Sequence, residues 1–344
     1  MALTVVTSPR FQDHVTPPGH PERVERAEVM EVAALDWERS GGRVMAPRAA
    51  TDEDLGRVHT PAYLESLRAV RGRAVMLDPD TFTSPESEEV ARLAAGGVLT
   101  AVDAALDGSP GSRVLVMARP PGHHAEADRA MGFCLYNSVA VGAAWARVRG
   151  AARVAIVDID VHHGNGTQRA FYDDPSVLFV SSHQFPYYPG TGGGDEVGRG
   201  DGAGFTVNLP LEAGATDADY DLVYRELVTP LVGQFRPDLL LVSAGFDAHE
   251  RDPLAGMRVT TAGFRQLTAR LLAIADAACD GRVVFVTEGG YDTSSLAECL
   301  EGVIALASGR QRPTPAAALA GDTRRGAAAL SAARQALGRF WPGL

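Results

Sequence analysis

A chain of 344 residues is long enough for one large α/β domain or two modest ones, with a sizeable buried core. With 45% apolar residues, 22% charged residues and a mean hydropathy of −0.05, it reads as globular rather than disordered or fibrous. The formal charge of −11 argues against a duplex-DNA surface, so no nucleic-acid partner is expected.

The start of the chain, residues 1–10, lacks the charged opening and long apolar stretch of a signal peptide, and no apolar run reaches membrane-spanning length. A cytoplasmic protein with no membrane partner is the expectation. Residues 84–106 have helical spacing, with Ser84-Pro85 as cap and first-turn residue. The strand 113–118 (RVLVMA) and the helix 137–149 follow, then the strands 153–158 (RVAIVD) and 177–181 (VLFVS). After these come the helix 217–235, the strand 238–243 (DLLLVS), the helix 260–279, the strand 282–287 (RVVFVT) and the helix 294–307. The strands are nearly continuous in Val, Leu and Ile, as strands buried on both faces should be. The tail, 313–344, is Ala- and Arg-rich and is expected to end in a surface helix. No Pro/Ser linker divides the chain. The expectation is therefore an α/β fold, one domain over 1–344, with a mainly parallel central sheet flanked by helices and long active-site loops.

Ligands of open parallel sheets bind beyond the carboxyl ends of the strands. Four such ends carry polar clusters: Arg119-Pro120-Pro121-Gly122-His123-His124, Asp158-Ile159-Asp160-Val161-His162-His163-Gly164-Asn165, Ala244-Gly245-Phe246-Asp247-Ala248-His249 and Glu288-Gly289-Gly290-Tyr291-Asp292. Four of the nine histidines lie in the first two. Cys134, Cys279 and Cys299 are scattered without CxxC spacing, so a metal would be held by histidine and carboxylates. Asp160 and His162, two apart on an extended chain, point to one side, and Asp247 could complete three ligands that leave positions for water and substrate. Asp/His/Asp suits zinc or iron(II). Each cluster also has a plainer reading: a core histidine pair, a helix cap beside a buried histidine, a turn aspartate and, for Tyr291, a packing aromatic. His183, His249 and Cys134 are read as structural.

Taken together and in order, these motifs resemble the zinc-dependent histone deacetylase superfamily, particularly bacterial class II-like deacetylases and acetylpolyamine amidohydrolases. The likeness rests on Gly19-His20-Pro21-Glu22-Arg23, RPPGHHAEADRAMGFCLYN at 119–137, VDIDVHHGNG at 157–166, Pro189-Gly190-Thr191-Gly192, AGFDAHERDPLAG at 244–256 and EGGYD at 288–292. It implies the arginase/deacetylase fold and an enzyme that removes acetyl or short acyl groups from lysine-like amines. It also implies zinc held by Asp160, His162 and Asp247, His124 as general base and later acid, His123 acting mainly through its charge, and Tyr291 stabilising the oxyanion. Asp158 would pair with His123 and Asn165 with His124, and the neutral Asn165 should leave its imidazole less basic.

The same resemblance implies a channel lined by Gly132, Phe133 and Tyr188 with Leu254 at its rim. Some polyamine-selective relatives carry Glu at the rim, so Leu254 leans toward an acylated lysine peptide over an acetylated small amine. Asp78 or Asp80 could supply an acidic anchor if their loop reaches the mouth. Potassium is implied around Asp158, Asp160, His162, Ser181 and Ser182, and a second monovalent site near Phe171, Asp174, Val177 and Phe205. The rival readings are an acetylpolyamine amidohydrolase, a two-metal ureohydrolase and a non-catalytic acyl-amine binder.

Overall fold

The computed structural model describes residues 3–312 and 314–344; Met1, Ala2 and Pro313, which open the start and the tail read above, lie outside them. The elements begin with β1 (Leu3–Val6), α1 (Glu25–Arg39), β2 (Arg43–Met45), the short α2 (Asp52–Leu55) and α3 (Pro61–Arg68). A hairpin of β3 (Val75–Asp78) and β4 (Thr81–Thr83) leads to α4 (Ser87–Asp107), β5 (Arg113–Val116), α5 (Ser138–Val148), β6 (Val154–Asp158), α6 (Asn165–Ala170), β7 (Val177–Gln184) and β8 (Thr206–Leu211). Next, α7 (Asp217–Val223) runs through a π turn (Tyr224–Val228) into α8 (Thr229–Phe235). The chain ends with β9 (Leu239–Ala244), α9 (Thr261–Ala278), β10 (Val283–Thr287), α10 (Thr293–Ala307) and α11 (Arg324–Leu337).

Eight strands form one parallel sheet in the order β2-β1-β5-β10-β9-β6-β7-β8. Side chains alternate across it. Val114 and Val116 join Val98 of α4 and Val139 of α5 on one face. Leu115 turns to the other, where Met30 of α1, Leu272 of α9 and Leu300 of α10 cover it. Both faces are thereby sealed, which is why the strands carry uninterrupted apolar runs.

Three strands of this sheet, β1, β2 and β8, and both strands of the β3–β4 hairpin were not anticipated. The edge strands β2 and β8 are short or broken by Pro210, and β8 tolerates proline because an edge strand leaves one row of backbone groups unpaired. Pairing with β8 also carries β7 on through Ser182, His183 and Gln184, beyond the apolar run. The helix placed at 84–106 starts at Ser87 instead. Ser84 spends its groups elsewhere: its N–H donates to Ser87 Oγ at 2.6 Å, and its own Oγ accepts from Val15 N at 3.0 Å. In the tail, α11 buries Ala329, Leu330, Ala333 and Leu337 against α7 and β8. Trp341 beyond it donates to Gly204 O at 2.7 Å and packs on Phe205. Among the described residues no helix is long and apolar enough to cross a membrane.

Candidate active site

The four strands whose ends carry the polar clusters, β5, β10, β9 and β6, are consecutive neighbours in the sheet. Their parallel registers align the carboxyl ends, so four loops distant in sequence open onto one depression.

From the β6 and β9 ends, Asp160, His162 and Asp247 converge with one donor atom each, all within 4.8 Å of one another and buried. His162 Nδ1 stands 3.1 Å from both Asp160 Oδ1 and Asp247 Oδ2. Burial disfavours a charged His162, but hydrogen bonds to the two carboxylates outweigh it and raise the ring to about 10. A divalent cation would neutralise the same carboxylates in place of that proton. Burial and the charge of Asp160 push Asp247 upward, a second cost that a cation removes. Glycines let the backbone close over the carboxylates: a Cβ on Gly245 would stand 2.1 Å from Asp160 Oδ2, and one on Gly289 would stand 2.2 Å from Asp247 Oδ2. Donor chemistry, burial and cradle fit a three-ligand metal centre.

His123 and His124 come from the β5 end. His123 Nδ1 lies 3.0 Å from Asp158 Oδ2, and its Nε2 lies 3.7 Å from Asp160 Oδ1. Burial opposes charge on this ring, but Asp160 and Asp158 outweigh it and hold it well above the usual histidine range. His124 Nδ1 lies 2.8 Å from Asn165 Oδ1. Burial, then the neighbouring His123 and His162, push His124 well below that range. The Asn165 Nδ2 donates to Glu126 Oε1 at 2.9 Å and to His124 O, so its oxygen is the end that faces His124. The His124 proton therefore sits on Nδ1, and Nε2 keeps its lone pair.

Glu288, on the β10 loop, accepts from Gly122 N at 2.6 Å and His123 N at 3.2 Å, fixing the histidine pair from its backbone. On the same loop Gly289 N donates to Asp160 Oδ2 at 2.8 Å, and Tyr291 N donates to Asp252 Oδ2 at 2.7 Å. The Tyr291 ring lies 5.7 Å from Phe133 and 5.0 Å from the guanidinium carbon of Arg26, which donates to Gly290 O.

The four residues expected to line a channel lie near this centre. Gly132 has φ +56°, and a Cβ there would strike His124 Cδ2 at 2.4 Å, so only glycine lets the wall close on the histidine. Tyr188 meets His124 edge-on at 5.2 Å. Leu254 N donates to Asp252 Oδ1 at 3.0 Å. The turn between β3 and β4 reaches this wall: Asp80 Oδ1 accepts from Gly132 N at 3.2 Å, and burial followed by the charge of Asp80 raises the Tyr188 phenol. Asp158 pairs in register with Ser181, and Ser182 Oγ donates to Asp158 O, so the five residues of the first potassium reading are adjacent. Phe171, Asp174 and Val177 share one turn, while Phe205 O accepts from Phe179 N.

Two functional neighbours escaped the sequence reading. Tyr187 stacks on His162 with ring centres 5.6 Å apart, and its hydroxyl donates to Leu254 O. Its only signal was to stand beside Tyr188 before Pro189. Glu126, two residues after His124, orients Asn165 and is held by Arg169 at 2.8 Å, a link visible only once α6 is placed.

Over residues 18–307 the chain matches the histone deacetylase domain family. It belongs to that family. It is 38% identical over 315 residues to a probable deacetylase of Archaeoglobus fulgidus, covering 90% of this chain and 87% of that protein. It is 42% identical over 300 residues to the human polyamine deacetylase HDAC10, covering 80% of this chain and 43% of that longer protein. Among solved structures, the HDA15 HD domain superposes with a TM-score of 0.89 at 34% identity, covering 99% of this chain and 96% of that one. The arginase/deacetylase fold expected from the sequence is the fold observed, and the chain is a hydrolytic deacetylase.

Proposed function

We propose that this deacetylase is zinc-dependent and releases acetyl or short acyl groups from lysine-like amines, with Asp160, His162 and Asp247 as the metal ligands. Iron(II) suits the same donors. The observation that carries the reading is the buried Asp/His/Asp triad facing two histidines whose Nδ1 atoms have different partners, Asp158 and Asn165. Bound there, the metal supplies a Lewis acid for the acyl carbonyl and acidifies water.

The chain's own residues do the rest. His124 Nε2 takes the proton of the attacking water and returns it to the leaving amine. His123, held cationic by Asp158 and Asp160, supplies positive charge beside the developing oxyanion. The Tyr291 hydroxyl donates a hydrogen bond to that oxyanion. Phe133 and Tyr188 grip the methylene chain, Gly132 lets the wall approach His124, and Leu254 marks the mouth. Asp158, Asp160, His162, Ser181 and Ser182 would hold potassium, steadying the β6 loop from below; Phe171, Asp174, Val177 and Phe205 are a weaker candidate for a second such ion. A two-metal ureohydrolase would need a further ligand set, and the described residues contain a single cluster.

One observation favours the acetylpolyamine reading over acyl-lysine: Asp80 stands at the channel wall beside Gly132 and Tyr188, with Asp78 on the same hairpin. The deciding measurement is kcat/KM of zinc-loaded protein on an acetyl-lysine peptide beside an acetylated polyamine, with a chelator-treated control. A clear preference for the peptide supports Leu254 as an apolar rim. A preference for the polyamine that Asp80→Asn abolishes assigns Asp80 as the anchor. Turnover of neither, with zinc bound, overturns the proposal in favour of a non-catalytic binder.

A further inference from the structure

Asp252 is 7% exposed and spends its carboxylate on backbone amides from two different loops. Oδ1 accepts from Leu254 N at 3.0 Å at the rim, and Oδ2 accepts from Tyr291 N at 2.7 Å, with Asp292 N further off at 3.4 Å. The contacts on either side extend this link into a hoop. Leu254 O receives the Tyr187 hydroxyl, Tyr187 stacks on His162, and the Tyr291 loop returns to the centre through Gly289 N and Asp160 Oδ2. The hoop thus begins and ends on the candidate metal ligands His162 and Asp160.

Helix packing does not by itself fix Tyr291. Gly289 and Gly290 precede it, Gly290 has φ +122°, and α10 starts two residues later at Thr293. A loop with two glycines has several backbone paths open to it, and hydrogen bonds to its amides select one. Asp252 holds the amide of Tyr291 itself, which sets where the Cα–Cβ bond starts and hence where the hydroxyl ends. A charged acceptor is suited to this, because its bonds to N–H are roughly twice as strong as neutral ones.

We propose that Asp252 is a positioning residue for Tyr291, and that its second oxygen ties the rim at Leu254 to the same anchor. The inference rests on the role given to Tyr291 above. In Asp252→Asn one of the two acceptors becomes an NH₂ group, so one loop loses its partner and faces a donor instead. Misplacement of a catalytic group by about 1 Å costs on the order of 10²-fold in rate. The expected result is a fall in kcat of roughly 10- to 100-fold, with KM for a small acetyl-lysine substrate and the metal content unchanged.

The test is a double-mutant cycle of Asp252→Asn and Tyr291→Phe, read as kcat and KM with metal analysis on each protein. If Asp252 acts through Tyr291, Asp252→Asn costs almost nothing further once the hydroxyl is gone. Full additivity, or wild-type kcat in Asp252→Asn while Tyr291→Phe is impaired, overturns the proposal. Wild-type turnover in Tyr291→Phe would instead sink the reading of Tyr291 on which it rests. Should Asp252→Asn fail to fold, hydrogen exchange on the unaltered enzyme gives the answer: the Tyr291 and Leu254 amides should be protected and open together. Exchange of the Tyr291 amide at the rate of an exposed loop, or independent opening of the two, refutes the anchor.

Discussion

Adjacent in the chain and 4.0 Å apart between ring centres, His123 and His124 are pushed to opposite protonation states by the residues behind them. Asp158 and Asp160 make a cation of His123, whereas His124 faces a neutral amide and two neighbouring imidazoles. The sequence placed Asn165 behind His124 through its family resemblance. The orientation of the amide, and hence the histidine nitrogen that stays free, depends on Glu126. Two substitutions separate binding from chemistry at this scale. Tyr291→Phe should lower turnover by about 10²- to 10³-fold, the cost of an oxyanion donor, while leaving metal content intact. Asp160→Ala should lose the metal itself. Metal analysis beside steady-state kinetics checks both, and full occupancy in Asp160→Ala would refute the ligand assignment.

At the scale of elements, the chain order of the strands hides their spatial order. β5, β6, β9 and β10 read as separate units in sequence, and only parallel pairing as β5-β10-β9-β6 makes their loops neighbours. Two of the expected helices open on residues that cap them in the structure, Asn137 accepting from Ala140 N and Thr260 from Gly263 N, whereas Ser84, read as a cap, does not open its helix. β8 was harder to read because Pro210 interrupts its apolar run, and α11, expected as a surface helix, instead buries one face against β8 and α7. Leu337, on the last turn of α11, is 1% exposed in that contact. Leu337→Ala should destabilise the fold by about 2–4 kcal/mol through lost burial and a cavity. Chemical denaturation should register this loss. Because α11 packs on the far edge of the sheet, kcat/KM of the folded variant should match wild type, and a large kinetic effect would tie the tail to the active site.

Across the whole molecule, stability is coupled to acid through a buried histidine outside the reaction. His59 donates from Nδ1 to Glu126 O at 2.9 Å and accepts at Nε2 from Asn137 N at 3.0 Å, an arrangement open only to the neutral ring. Burial lowers it to about 4. The unfolded chain takes up this proton near pH 6.5 and the folded chain only near 4, so the stabilisation is complete above 6.5 and is lost as pH falls through that window. Its size is at most about 3–4 kcal/mol, for a lowering from 6.5 to about 4 at roughly 1.36 kcal/mol per pH unit. Urea unfolding of wild type and His59→Gln at pH 7.5 and 4.5 isolates the term from metal release common to both. The variant should show the smaller drop, and equal drops would refute the assignment.

The sequence by itself determined the α/β class, the five central strands, the helices between them, the family and the positions of the polar clusters. Apolar runs, caps and contiguous motifs are local, and a local signal survives being read along a line. Tertiary structure alone decided what faces what. That Asp80 reaches Gly132, that Tyr187 stacks on His162, that Glu126 turns Asn165 and that Asp252 joins the rim to Tyr291 are contacts between groups 25 to 52 residues apart in the chain. Such pairings are set by strand order and packing, and a carboxylate gives no sign in sequence of which distant amide it will hold.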